Sequence, residues 1–213
     1  MKVSDKIDET KTPDQLDQWS CVKLKRCVQL SRSRDDEKPA DREFVGLENI
    51  ESWTGRRVGV GNIAETQNED AGTSTVNLFE PGDVIFGKLR PYLAKAWLAD
   101  IPGACTTEGL VLRPQDRLSG RFLVRCLLTR TFIDAVDEAT FGAKMPRADW
   151  DSIGNIEIPL PPLATQRTIA DFLDRETARV DALVMAKERL LEQLAEKRRV
   201  LITRAVTRGL NPD

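Results

Sequence analysis

Hydrophobic and polar positions follow one rhythm up to about residue 160 and another beyond it. In the first part, apolar runs are short and broken by Gly, Pro and polar clusters, the pattern of short strands joined by turns. Trp19 to Leu30 alternates as a strand, Ser31 to Glu43 is a polar loop, and Phe44 to Ile50 restarts the apolar pattern before a Thr54-Gly55 turn. Residues 61–75 are polar and Gly-containing, loop-like or a weak strand. Pro81-Gly82 turns the chain into Asp83–Leu89, followed by short strands at Leu93–Leu98 and Gly109–Leu112. Ser119 is placed to cap a helix to about Asp137, in which Phe122, Leu123, Cys126, Ile133 and Val136 share one face. Residues 139–149 form a basic loop, and Ile153–Leu160 is a last strand closed by Pro161-Pro162.

From Leu163 to Arg208 there is no Gly or Pro. Leu173, Val180, Leu194 and Leu201 recur in steps of seven, with Lys187 as a polar break, while Leu183 and Leu190 fill the alternate rung. Val184 and Leu191 widen the stripe. The pattern predicts one helix of about 45 residues, roughly 65 Å long, ended by Gly209 with Pro212 beyond. A stripe that long cannot be buried on its own helix and requires another one. The expected fold is α+β: a polar leader at 1–18, a mainly β unit with one or two helices at 19–160, and a long helix region at 161–213.

Composition narrows the chemistry. The 213 residues carry 32 Lys+Arg, 34 Asp+Glu and no His. The missing His excludes Ser-His-Asp triads, HExxH zinc sites and mixed Cys/His fingers. With a pI near 5.5, the chain fails a whole-protein test for nucleic-acid binding. Locally, residues 20–60 hold 9 basic and 7 acidic side chains, and residues 82–150 hold 10 and 8, an excess of four over both stretches. No apolar run approaches the roughly 18 residues of a membrane span, and MKVSDKIDETK is not a signal peptide, so a cytoplasmic location is expected. Cys21, Cys27, Cys105 and Cys126 lack CxxC spacing and are expected to be reduced, buried thiols.

Two motif matches fail on chemistry. Gly82–Lys88 formally fits GxxxxGK, but Leu89 stands where Mg²⁺ requires Ser or Thr, and Pro91 opposes the following helix. Pro13-Asp14 with Asp36-Glu37-Lys38 spells a loose nuclease signature, but its second half lies in a polar run with nothing to anchor it. Basic residues with interleaved aromatics are better candidates. Lys144-Met145-Pro146-Arg147 offers a point charge for phosphate and a fork for guanine. Lys88, Arg90 and Lys95 surround Tyr92, and Arg57 follows a turn.

Longer strings carry a resemblance. IPLPPL (158–163), Gln166-Arg167, IADFLD (169–174), TARVDAL (177–183) and ITRAVTRGL (202–210) resemble the conserved region of type I restriction-modification specificity subunits. FVGLENIESWTGR (44–56), GDVIFGKLRPYLAKAW (82–97) and GAKMPRADWDSIGNIEIPLPPL (142–163) are similar to segments of that family's target-recognition domain. The resemblance implies a non-catalytic subunit that reads double-stranded DNA and directs methyltransferase and restriction subunits, without a cofactor of its own. S-adenosylmethionine, ATP and Mg²⁺ are expected on those partners. It also makes 19–160 the recognition domain and 161–213 a spacer.

The family pattern has two recognition domains where this chain has one, as in a half-subunit or a truncated product. The oily seam of Leu173, Val180, Leu183, Leu190, Leu194 and Leu201 favours a homodimer that reads a bipartite inverted repeat. Lys144 and Arg147 are the leading DNA contacts, then Lys88, Arg90, Lys95, Tyr92 and Arg57. The alternatives are a coiled-coil adaptor that does not read DNA, and a metal-dependent nuclease using Asp14, Asp36 and Lys38.

Overall fold

The computed structural model describes residues 19–36, 39, 41–59, 75–142 and 144–209. The leader (1–18) and nearly all of 61–75 lie outside them. The fold is α+β, with most of its strands in two four-stranded sheets. One sheet runs in the order β2 (Val28–Leu30), β9 (Gly109–Pro114), β6 (Val84–Gly87), β7 (Ala96–Leu98), all antiparallel. The other runs β3 (Arg34–Asp35), β5 (Val76–Phe79), β8 (Gly103–Thr106), β4 (Glu43–Val45), with β4 parallel to β8. A short pair joins β1 (Cys21–Lys23) to β10 (Glu157–Pro159).

The core joins both sheets through Val45, Phe79, Ile85, Trp97, Cys105 and Val111, with Phe79 and Trp97 meeting edge to face at 5.7 Å. The opposite face of β6 packs under α1 (Gly120–Leu127) and α2 (Arg130–Glu138), where Phe86 meets Phe132 at 5.8 Å. Every residue of β6 is therefore buried, and that is why its sequence is continuously apolar rather than alternating.

Several sequence expectations are corrected. Trp19–Leu30 is not one strand. Leu24 and Cys27, three apart and both buried, bracket a 3-10 turn at Leu24–Arg26 that sends β1 and β2 to different partners. The helix expected from Ser119 to Asp137 is two, because the Thr129 hydroxyl donates to the Cys126 carbonyl (2.8 Å) and accepts from Phe132 N–H (3.3 Å), ending one helix and capping the next. Ser119 makes no side-chain cap. The polar run 31–43 contains β3, and β5 and β8 were not anticipated. The last strand, expected from Ile153, begins only at Glu157, because Ile153 ends a short helix, α3 (Trp150–Ile153), capped by Asp149, whose carboxylate accepts from Ser152 N–H at 2.7 Å and is held below its usual pKa range by Ser152. Cys21 is exposed, unlike the other three cysteines.

The long helix is present as α4 (Leu163–Arg208), and Gly209 follows it in the left-handed conformation. The chain divides into two compact units, Met1–Thr168 and Ile169–Asp213, so the first turn of α4 belongs to the globular unit. Gln166 is wholly buried there. Its amide oxygen accepts from Ser119 N–H (2.8 Å), and its nitrogen donates to the Arg117 and Pro161 carbonyls (2.8 Å each). In the second unit Val180, Leu183, Leu190, Leu194 and Leu201 are more than half exposed.

Candidate nucleic-acid interface

β6 carries the chain out of the core to Lys88. Gly87 stands at its end in a tight place, where a Cβ would lie 3.3 Å from the Leu47 side chain and press it aside. Beyond it, Pro91–Leu93 forms a single 3-10 turn flanked by Arg90 (φ +50°) and Ala94 (φ +47°), both left-handed. Trp53 (φ +68°) is the third such non-glycine residue among those described, and its N–H donates to the Ala94 carbonyl at 3.0 Å. Each position costs on the order of 1–3 kcal/mol, and such strain clusters where a surface is shaped for a ligand.

The basic loop meets this turn. Arg90 N–H donates to the Pro146 carbonyl (2.8 Å), Ala148 N–H to the Lys88 carbonyl (3.0 Å), and Phe141 and Arg147 exchange two backbone bonds of 3.0 Å. Glu108, in the turn between β8 and β9, ties both segments together. Its carbonyl accepts from Lys88 N–H (3.0 Å), and its carboxylate accepts from Arg147 Nε (2.9 Å) and Nη2 (2.8 Å). Three segments far apart in sequence thus form one end of the globular unit.

That end is chemically distinct. Trp53, Val58, Tyr92, Phe141 and Met145 are the large exposed hydrophobics of the first unit's described residues; Tyr92, Phe141 and Met145 lie on these segments, and Trp53 on the turn bonded to Ala94. Arg90 and Lys144 are exposed among them. Apolar surface interleaved with cations suits a polyanion with apolar base edges.

The expected contact residues divide in two. Lys88, Arg90, Tyr92 and Lys144 lie at this end without a side-chain partner among the described residues. Arg147 is there as well, but the fork expected for guanine is engaged by Glu108 through Nε and Nη2. Lys95 turns inward to the Leu47 carbonyl (2.5 Å), and Arg57 lies over the Trp97 ring (5.3 Å) while bonding Glu43 at 2.6 Å. Those two cations hold the scaffold. Sequence reasoning missed Glu108 and Trp53. The Thr107-Glu108-Gly109 turn between apolar runs was the available signal for the first, and nothing in the sequence marks Trp53 as left-handed.

The GxxxxGK match is a central strand whose backbone is spent in ladders to β7 and β9. Of the nuclease signature, Asp14 and Lys38 lie outside the described residues, while Asp36 is exposed and accepts from the Thr75 hydroxyl at 3.5 Å. Among the described residues no group of three His, Cys, Asp or Glu side chains could hold a metal, and no helix is long and apolar enough to cross a membrane.

The sequence model of the type I restriction modification DNA specificity domain matches residues 50–193. The specificity subunit of the type I restriction enzyme EcoDI from Escherichia coli is 32% identical over 134 residues, covering 63% of this chain and 29% of that protein. The EcoBI specificity subunit of Escherichia coli is 26% identical over 134 residues, covering 62% and 28%. The crystal structure of the HsdS subunit from Thermoanaerobacter tengcongensis superposes with a TM-score of 0.64 at 22% identity, covering 92% of this chain and 51% of that one. The chain therefore spans under a third of these curated relatives and about half of the solved subunit.

Proposed function

The chain belongs to the type I restriction-modification DNA specificity family, and on that premise we propose that it reads a DNA sequence through the end built by residues 88–92, Glu108 and 141–147. The observation that carries the reading is this joining of exposed aromatics and cations on strained, hydrogen-bonded turns. Methyltransferase subunits, and restriction subunits where the system has them, act where this chain is bound. S-adenosylmethionine, ATP and Mg²⁺ belong to those partners. This chain's own residues bind and orient DNA and carry out no bond-breaking step.

The spacer supports a second element of the proposal. Its seam, from Val180 through Leu201, is exposed along the helix, and apolar heptads of this kind are stable only when paired. A second copy, antiparallel, would cover it and present two identical readers to an inverted repeat. Light scattering is expected to give twice the 23.9 kDa chain mass, and Leu190→Asp with Leu194→Asp to give single chains. Dimers that persist in that double variant would refute the helix seam as the interface.

Mapping methylated adenines in the host genome tests the DNA reading. A bipartite, inverted-repeat motif is expected to lose its methylation when the gene is deleted. An unchanged methylation pattern in the deletion strain would refute it.

A further inference from the structure

Beside the reading end, the two sheets enclose a cleft of about 350 Å³, part of whose wall comes from the polar run that begins at Ser31. Its polar lining is Ser31, Arg32, Arg34, Asn77, Lys88 and Thr107, with three cations and, among the described residues, no carboxylate. Arg34 is fixed from beneath. It stands opposite Asn77 in the β3–β5 register, and its Nε donates to the Asn77 side-chain oxygen at 3.1 Å. Asn77 is itself buried, and its nitrogen donates to the Gly109 carbonyl at 2.9 Å. This bond orients the Arg34 guanidinium and leaves both terminal nitrogens without a partner among the described residues. Arg32 and Lys88 likewise have no side-chain partner there. Glu108, which follows Thr107, is already committed to Arg147.

Converging cations without a counter-charge repel one another, and the group that relieves this is an anion accepting from several donors at once. We propose that this cleft grips a backbone phosphate of the duplex whose bases lie at the reading end. The inference rests on the DNA reading above and adds a separate task. Phosphate contacts fix register and orientation, while base edges carry sequence. Lys88 joins the two tasks, because its backbone is bonded to Glu108 and Ala148 while its side chain lines the cleft.

The test compares the full chain, in complex with the methyltransferase subunits of its own system, with an Arg32→Ala/Lys88→Ala variant. Neither side chain holds the fold, so denaturation midpoints should match. Binding to a short random-sequence duplex is measured across salt. Losing one phosphate contact should lower the slope of log K against log salt by about 0.9. The advantage of wild type should then shrink about 3.5-fold between about 0.05 and 0.2 M salt. The methylated motif in cells should be unchanged in an Arg32→Ala single variant, and Arg32→Lys/Lys88→Arg should restore the slope. An unchanged slope, or an altered motif, would overturn the proposal. So would calorimetric binding of pyrophosphate at physiological salt that the double variant abolishes without a slope change, since that would make the cleft a small-anion site. If the wild-type complex binds no duplex in a salt-dependent way, the DNA reading itself fails, which is a separate result.

Discussion

Gln166 offers a quantitative check on how the globular unit is closed. Replacing it with Ala removes three hydrogen bonds of 2.8 Å and leaves Ser119 N–H without its acceptor. An orphaned buried donor costs about 1–3 kcal/mol, and the half-buried Ser119 falls in the lower part of that range. The cavity left by the side chain adds to it, so a total loss of about 2–4 kcal/mol is expected. Gln166→Glu keeps the shape and reverses the chemistry, placing a carboxylate oxygen 2.8 Å from the Arg117 and Pro161 carbonyls. Only the protonated acid can donate to either. Burial among carbonyls raises that carboxyl's pKa above its unfolded value near 4.3. Its contribution is then fullest below that value and is lost as pH rises through the raised folded pKa. All four tryptophans (19, 53, 97 and 150) lie in the first unit, so their fluorescence follows its unfolding in urea. A Gln166→Ala protein within about 0.5 kcal/mol of wild type, or a Glu variant better tolerated at alkaline than at acid pH, would refute the reasoning.

Other predictions follow from the same contacts. Asp83 is nearly inaccessible and accepts from Arg113 Nε (2.8 Å), Arg113 Nη2 (2.9 Å) and Glu80 N–H (3.0 Å); Asp83→Asn should cost about 2 kcal/mol by urea denaturation. Burial pushes the Cys105 and Cys126 thiols up to about 12 from 9.0. Both states keep those protons below about pH 9, but between 9 and 12 only the unfolded chain releases them, so stability should fall over that window. Native alkylation should mark Cys21 alone, and mass spectrometry should find the other three only after unfolding. Glu108→Ala should free the Arg147 guanidinium and raise affinity for random duplex, as a binding titration would show.

Legibility in the sequence followed the range of the forces involved. The 46-residue α4 was readable because a heptad is a local repeat. β6 and β9 were readable because continuous burial leaves continuous apolar runs. β3 and β5 were not, since Arg34–Asp35 and Val76–Phe79 are strands only by virtue of each other and β8. The candidate site followed the same rule. The KMPR and GKLRPY strings fall on two segments that the fold brings together, yet which cations remain available depends on Glu108, Glu43 and the Leu47 carbonyl, all distant in sequence. The phosphate cleft was hidden for the same reason, because Arg32 and Arg34 gain their meaning only beside Lys88.

Site-specific photocrosslinking tests most directly the claim that this end of the globular unit reads DNA. A photoreactive aromatic would be placed at Tyr92 or Met145, and at Met185 on the spacer, in the complex with methyltransferase subunits and genomic DNA fragments. Crosslinks from 92 and 145 to DNA, centred on the methylated motif and absent from 185, are the predicted result. Crosslinks from 92 and 145 to a methyltransferase subunit, with none to DNA, would make this end a protein-docking surface and contradict the account.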